Sequence, residues 1–127
     1  MNRKLLPVLG LTSLLAVSLL AGCAGVATYT DAADTITTTV NGEFVIALDS
    51  NPSTGYSWNV SYDASLLSLE KEEYNPDEKA EGLVGAGGTQ YYQFKALKAG
   101  STGVNLTYLR TWEEGYIDRK VFTITIS

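Results

Sequence analysis

The sequence of 127 residues contains no histidine and only one cysteine, Cys23. Without histidine, the chain lacks the commonest general base, the commonest zinc ligand and the side chain that titrates near neutral pH. A single cysteine can form neither an internal disulfide nor a thiolate metal cluster. The sequence therefore predicts no metal site, no cofactor and no enzymatic activity, and it predicts a core that packing alone must stabilise.

Basic residues are also scarce. The formal net charge is −5, and Arg3 and Lys4 both lie in the N-terminal segment. Without residues 1–22, seven Lys and Arg face fourteen Asp and Glu, which gives −7. An acidic domain without a basic stripe is poorly suited to bind phosphate backbones. We therefore expect no nucleic-acid partner.

The first 22 residues have the pattern of an export signal. Arg3 and Lys4 precede an apolar run over residues 5–20, and small residues follow this run. The run is short for a transmembrane anchor and lacks the usual polar flank. Residues 1–22 are therefore predicted to be a signal peptide that is removed on export.

The signal ends in Leu20-Ala21-Gly22-Cys23, which resembles the lipobox of prokaryotic lipoproteins. The resemblance implies cleavage before Cys23 and acylation of its thiol and amine. Several acyl chains on one residue give a stable membrane anchor, whereas a single chain binds only marginally. Residues 23–34 are predicted to be the lipidated cysteine and a polar tether. The domain would then stay at the cell envelope, on the outer face of the cytoplasmic membrane or at the outer membrane.

From Thr35 onward, apolar and polar residues alternate as they do in half-buried strands. The Asn41-Gly42 pair, a strong hairpin signal, separates the first two apolar runs. The fourth run is less regular, and residues 65–73 could instead form a short helix. Seven short strands with turns between them predict one all-β domain over residues 35–127, an immunoglobulin-like antiparallel sandwich without a disulfide. The apolar residues at alternate positions that mark these strands are Phe44, Ile46, Leu48, Trp58, Val60, Tyr62, Tyr92, Phe94, Val104, Leu106, Tyr108, Phe122, Ile124 and Ile126, and Trp58 suits the buried core position of such sandwiches.

Strand direction predicts that three loops share one end of this sandwich. Successive strands run in opposite directions, so every second connection lies at the same end. This rule brings together residues 50–57, 81–89 and 110–117, which we call the first, second and third loops. The Asn41-Gly42 turn and the turn at residues 98–100 fall at the opposite end.

Each of the three loops has a distinct chemical character. The first contains Asn51, Pro52, Ser53, Thr54, Gly55 and Tyr56, in which proline stiffens the chain and glycine permits a tight turn. The second contains Gly85, Ala86, Gly87 and Gly88, whose small side chains let backbone groups approach another surface. The third contains Arg110 and Trp112, residue types enriched at binding hot spots. Together these features favour a protein-binding surface.

Simpler explanations exist for each feature alone. The proline-containing segment could be only a turn, the glycine-rich segment only a flexible loop, and Trp112 a core residue. Glu113 and Glu114 are more simply explained as a solvated pair than as catalytic carboxylates, because adjacent residues usually point apart. A hydrolase that uses this pair is therefore the weaker alternative to a binding protein.

Three segments also resemble chagasin and its relatives, the inhibitors of papain-like cysteine proteases. They are residues 51–56, residues 85–89 and residues 105–112, and the resemblance runs from about Thr35 to the C-terminus. It implies an immunoglobulin-like fold and a tight, reversible, non-covalent inhibitor that occludes the protease cleft with three loops. We expect this inhibitor to be a monomer. A non-inhibitory binding module of an envelope lipoprotein is the alternative.

The resemblance also implies a role for each loop. Ser53 and Thr54 would lie over the catalytic cysteine and histidine of the protease. Residues 85–88 would lie along the non-primed side of the cleft, pairing backbone to backbone. Arg110 and Trp112 would cover the primed side, and no scissile peptide would be presented.

The chain departs from the family pattern at three positions. Ser53 stands where threonine is usual, and Tyr56 stands where phenylalanine is usual. Thr111 replaces a proline between Arg110 and Trp112, so the third loop lacks one φ restraint. These departures imply weaker inhibition rather than another mode of binding.

Overall fold

The computed structural model describes residues 26–77 and 87–127. Cys23, the signal peptide, Gly85 and Ala86 lie outside the described residues. Eight strands make up the described chain: β1 (Ala27–Tyr29), β2 (Ile36–Thr38), β3 (Glu43–Ser50), β4 (Ser57–Ser61), β5 (Leu67–Pro76), β6 (Gly88–Ala96), β7 (Gly100–Leu109) and β8 (Asp118–Ile126). All seven predicted strands are present, and β1 is an eighth.

The strands form two four-stranded sheets that pack into a sandwich. One sheet has the order β1-β3-β6-β5, and the other has the order β2-β8-β7-β4. The pairs β3–β6, β5–β6, β4–β7 and β7–β8 are antiparallel, as predicted. The short strands β1 and β2 instead pair in parallel with β3 and β8. The predicted immunoglobulin-like sandwich is confirmed, with two parallel edge pairs that the sequence did not reveal.

Strand β1 lies within the segment predicted to be a tether. Ala27 pairs with Phe44 and Tyr29 pairs with Ile46, and Tyr29 and Ala32 pack against the core. The tether prediction is therefore wrong for residues 27–29. A three-residue strand at a sheet edge is held mainly by backbone hydrogen bonds, so it leaves little hydrophobic alternation in the sequence.

The core consists of alternate residues from the facing sheets. Phe44 and Phe94 stack with ring centroids 5.5 Å apart, and Tyr62 meets Phe94 edge-on at 5.2 Å. Most of the apolar residues that mark alternate strand positions are buried. The core cluster comprises Ile36, Phe44, Ile46, Leu48, Leu67, Tyr92, Phe94, Ala96, Val104, Leu106, Phe122, Ile124 and Ile126.

Two aromatic side chains at or beside this core place their polar groups near backbone carbonyls. Trp58 was predicted to be a core residue, but it is only partly buried, and its Nε1–H donates to the Asp49 carbonyl at 2.9 Å. The Tyr92 hydroxyl is 3.4 Å from the Trp58 carbonyl. Burial, and then the charge of Glu72, raises the pKa of Tyr92 well above its usual value. The phenol therefore stays protonated inside the sandwich.

Strand β5 replaces the helix that residues 65–73 could have formed. It pairs with β6 over its full length, and the register shifts between Leu69 and Lys71. This bulge explains the irregular pattern in the sequence, because it changes which residues face inward. The charged residues on β5 lie at the edge of its sheet, where charge discourages pairing with another chain.

The Asn41-Gly42 pair forms a turn but not a hairpin. Asn41 has a φ of 70° and its N–H donates to the Ala96 carbonyl at 2.8 Å. The flanking strands β2 and β3 belong to different sheets, so the hairpin prediction is wrong. Three turns, residues 39–42, 62–66 and 97–99, lie at this end of the sandwich, which we call the far end.

Replacing Phe122 by alanine should test how much the packing of a core side chain contributes to the stability of the sandwich. The side chain is fully buried on β8. We expect Phe122→Ala to lower the free energy of unfolding in urea by about 3–5 kcal/mol, because it leaves a cavity between the sheets. Val121→Ala on the exposed side of the same strand should change it by about 0.5 kcal/mol or less. Equal losses for the two variants would contradict this account of the core.

Candidate functional site

Contacts between the loops join them at the end opposite to the far end. The Arg110 side chain of the third loop donates from Nε to the Thr54 carbonyl of the first loop at 3.0 Å. Gly87 of the second loop lies against the first, since a Cβ on it would be 3.1 Å from the Ser50 carbonyl oxygen. Within the described residues, the three loops therefore meet as strand direction predicts. We call their joint surface the loop edge.

Backbone hydrogen bonds fold the first loop into a short 3₁₀ turn over Pro52–Thr54. The Thr54 N–H donates to the Asn51 carbonyl at 3.1 Å, and the Gly55 N–H donates to the Pro52 carbonyl at 2.9 Å. Gly55 has a φ of 86°, in the left-handed region that other residues rarely adopt. The predicted roles of proline and glycine in this turn are confirmed.

The two hydroxyl groups of the first loop bind within the loop. The Ser53 hydroxyl donates to Asn51 Oδ1 at 2.6 Å, and the Thr54 hydroxyl donates to the Asn51 carbonyl at 2.7 Å. Both residues are nevertheless exposed at the tip. Their hydroxyls therefore stabilise the shape of the tip, and the sequence contains no histidine that could activate either of them.

Tyr108, at the end of β7, supports the first loop from below. Its hydroxyl accepts a hydrogen bond from the Asn51 N–H at 2.9 Å. Its ring stacks on Tyr56 with a centroid distance of 5.4 Å and tilts against Trp58 at 4.8 Å. The sequence placed Tyr108 on the sixth predicted strand and gave it no role in the first loop. The signal for that role was its place as the last apolar residue of the strand before the third loop.

Arg110 connects the first and third loops. Its guanidinium lies over the Tyr56 ring at 4.3 Å from the centroid, which is a cation–π contact. Its Nη1 also pairs with Glu113 Oε2 at 3.2 Å. The side chain is about one-third exposed, at 31%. The Nε and Nη1 groups and one face of the guanidinium therefore have partners within the loop edge.

Trp112 is a surface residue, which excludes the core alternative. It is 70% exposed. One edge of its indole lies on Gly55, because a Cβ on that glycine would be 2.5 Å from Cη2 of Trp112. The first loop thus supports one side of the ring, the Arg110 guanidinium lies 6.0 Å from the ring centroid, and most of the ring faces solvent. Such a braced aromatic side chain has the character of a binding anchor.

The third loop is closed although it lacks the family's proline. The Glu113 N–H donates to the Arg110 carbonyl at 3.1 Å, and the Ile117 N–H donates to the Tyr108 carbonyl at 2.9 Å. Together with the Glu113–Arg110 ion pair, these bonds restrain the backbone on both sides of Thr111. The expected loosening of the loop is therefore offset by contacts within the loop edge.

Gly88 has a structural role in strand packing, which differs from its predicted role in binding. It was expected to expose its backbone, but it begins β6 and is buried between Ser50 and Pro76. A Cβ there would clash with the Asn75 carbonyl oxygen. Its missing side chain is therefore explained by close strand packing, which sequence alone did not reveal. Gly87 accepts at its carbonyl from the Asp77 N–H at 3.1 Å.

The described residues offer little for catalysis or metal binding. Glu113 of the suspected carboxylate pair is bound to Arg110, which leaves no paired acid and base in the third loop. No cluster of potential metal ligands occurs in residues 26–77 and 87–127. Among the same residues, no helix is long and apolar enough to span a membrane.

Comparison with known proteins identifies the family. Residues 37–126 match the family described as chagasin family peptidase inhibitor I42. The chain is 36% identical over 96 residues to chagasin of Trypanosoma cruzi, a match that covers 71% of this chain and 84% of chagasin. It is 40% identical over 70 residues to amoebiasin-2 of Entamoeba histolytica, which covers 55% of this chain and 57% of that protein.

The fold agrees with this match. The crystal structure of the cysteine protease inhibitor EhICP2 from Entamoeba histolytica is similar, with a TM-score of 0.67 and 30% identity. The similarity covers 80% of this chain and 97% of the other. Members of the matched family inhibit peptidases and are not enzymes, which agrees with the prediction from the missing histidine. The chain belongs to the chagasin family of peptidase inhibitors.

Proposed function

We propose that the protein is a reversible, non-covalent inhibitor of papain-like cysteine proteases and that the loop edge occupies their active-site cleft. Family membership supports the inhibition, and the similar protein EhICP2 is described as a cysteine protease inhibitor. The observation that carries the proposal is the joining of the first and third loops into one braced surface by Arg110. Inhibition would then depend on shape rather than on a reaction.

The first loop would enter the middle of the cleft. Its tip places Ser53 and Thr54 at the surface, where they would lie over the catalytic cysteine and histidine of the protease. The 3₁₀ turn keeps the backbone curled, so no extended peptide bond is presented for cleavage. Internal hydrogen bonds to Asn51 lower the entropy that the tip would lose on docking.

The other two loops would flank the first. Residues 85–87 would lie along the non-primed side, whereas Gly88 would act by letting β5 and β6 pack closely. Trp112 would cover the primed side with its exposed ring face, and Arg110 would hold that ring's loop against the first loop. Protease–inhibitor interfaces bury about 1,600 Å² in total, which three braced loops can supply.

Localisation belongs to the same proposal. The lipobox-like Leu20-Ala21-Gly22-Cys23 supports export and acylation of Cys23, which would keep the domain at a prokaryotic cell envelope. The proposal assigns no role to nucleic acid or to a cofactor. Titrating papain with the soluble domain tests the inhibitory part directly, because a binding module without inhibitory function would leave the enzyme active at saturation.

Truncating Trp112 should weaken inhibition without unfolding the domain. We expect Trp112→Ala to raise the inhibition constant against papain by a factor that corresponds to about 2 kcal/mol or more. Val40→Ala, an exposed apolar residue at the far end, is the matched control and should leave the constant unchanged. An unchanged constant for Trp112→Ala would remove this residue from the binding surface.

Enlarging the tip of the first loop should exclude it from the cleft. We expect Ser53→Trp to weaken inhibition by about 5- to 100-fold, since a change of 1.4 kcal/mol corresponds to a factor of ten and an overfilled site costs about 1–3 kcal/mol. Ser101→Trp, at an exposed position near the far end, controls for the added indole. Full inhibition by Ser53→Trp would show that the tip lies elsewhere.

Replacing Arg110 by lysine should test whether its shape or its charge matters. Lysine keeps the charge near Glu113 but loses the planar group that both covers Tyr56 and donates to Thr54. We expect Arg110→Lys to weaken inhibition by about 1–2 kcal/mol and to lower the unfolding free energy by a similar amount at most, because the lost contacts lie within the domain. Arg119→Lys, where an exposed arginine bonds Asn105, should behave like the unmodified protein. Equal inhibition constants for the two lysine variants would contradict the bracing role.

A further inference from the structure

Strand β1 begins near the far end, opposite to the loop edge. It runs parallel to β3, with Ala27 paired to Phe44, and β3 then continues to Ser50 and the first loop. At about 3.3 Å per residue, the strand from Phe44 to Ser50 spans roughly 20 Å. The loop edge therefore lies roughly 20 Å beyond Ala27 along the strand direction.

The chain between the predicted acylation site and β1 is short. Only residues 24–26 separate Cys23 from Ala27. A fully extended link of this length spans at most about 14 Å. Even when it is stretched along the sandwich, it is too short to bring Cys23 level with the loop edge. Unless the link stretches more than about 10 Å along the sandwich towards the loop edge, an anchor on Cys23 lies closer to the far end than to the loop edge.

The surface of the far end suits contact with lipid headgroups. Val26, Val40 and Leu97 are exposed there, at 43%, 40% and 42%. The three far-end turns carry one acidic and one basic residue, Asp63 and Lys98, so they add no net negative charge. The acidic surplus of the domain lies elsewhere and would be repelled by an anionic membrane.

We propose that the acylated protein stands on the membrane with its far end against the headgroups and its loop edge facing the aqueous phase. The apolar side chains of Val26, Val40 and Leu97 would touch the headgroup region, and the short link would limit tilting. This orientation rests on the proposed lipid anchor and gives the proposed inhibitory surface free access to soluble proteases. It concerns the interaction of the domain with lipid rather than the interaction with a protease.

The two tryptophans of the chain are native reporters of this orientation. Trp112 lies on the loop edge, and Trp58 lies beside it, bonded to the Asp49 carbonyl. The full acylated chain is reconstituted into phosphatidylcholine vesicles with and without a nitroxide on the headgroup. We expect the native fluorescence to be the same in both, whereas the fluorescence added by Leu97→Trp is quenched by the nitroxide. Val40→Trp provides a second far-end reporter that does not depend on tolerance at Leu97.

The outcomes separate the orientation from its premises. Quenching of the native tryptophans as strong as that of the added one would overturn the orientation. Failure of the full chain to float with vesicles would overturn the anchor and this inference together, and Cys23→Ser is the control that should not float. Papain inhibition is titrated separately with the soluble domain. If the domain does not inhibit papain, the proposed function fails, but the fluorescence experiment still tests the orientation.

Discussion

The contact of the Arg110 side chain with the first loop is the interaction on which the loop edge depends. It joins two loops that are more than fifty residues apart, through a hydrogen bond to the Thr54 carbonyl and a stacked contact with Tyr56. Glu113 holds the guanidinium from the third loop. Because one planar group makes all three contacts, the relative position of the loops follows from the geometry of that group. The strands of the sandwich hold the two loops at the same end, and Arg110 connects one loop to the other.

Such bracing matters because the proposed inhibition is non-covalent and depends on the fit between two surfaces. A surface that is already ordered before binding loses less entropy when it docks. Each side chain that becomes ordered on binding costs about 0.5–1.5 kcal/mol. At the loop edge, Ser53, Thr54 and Arg110 are already held by hydrogen bonds in the free protein. These three side chains lose their conformational entropy when the domain folds. Binding to a protease would therefore order them little further.

The sequence predicted the sandwich and the meeting of the loops because both follow from alternation and strand direction. It did not predict β1, whose three residues pair with β3 through the backbone. It also did not predict the bulge in β5, which interrupts the alternation of that strand and made a short helix possible from the sequence. It also missed the support given by Tyr108, since a hydrogen bond to Asn51 fifty-seven residues away leaves no local pattern. Periodicity thus identifies the elements, whereas the contacts that make the edge rigid depend on tertiary geometry.

Glycine illustrates the same distinction. Sequence alone treats the glycines of the loop edge as one kind of feature, but the structure separates them. Gly55 is favoured for two reasons, since other residues rarely adopt its φ of 86° and Trp112 occupies the space that a Cβ would need. Gly88 is required by the close approach of β5. At both positions the absent side chain permits tighter packing and a more rigid edge, so these glycines are evidence of a fixed shape and not of a flexible one.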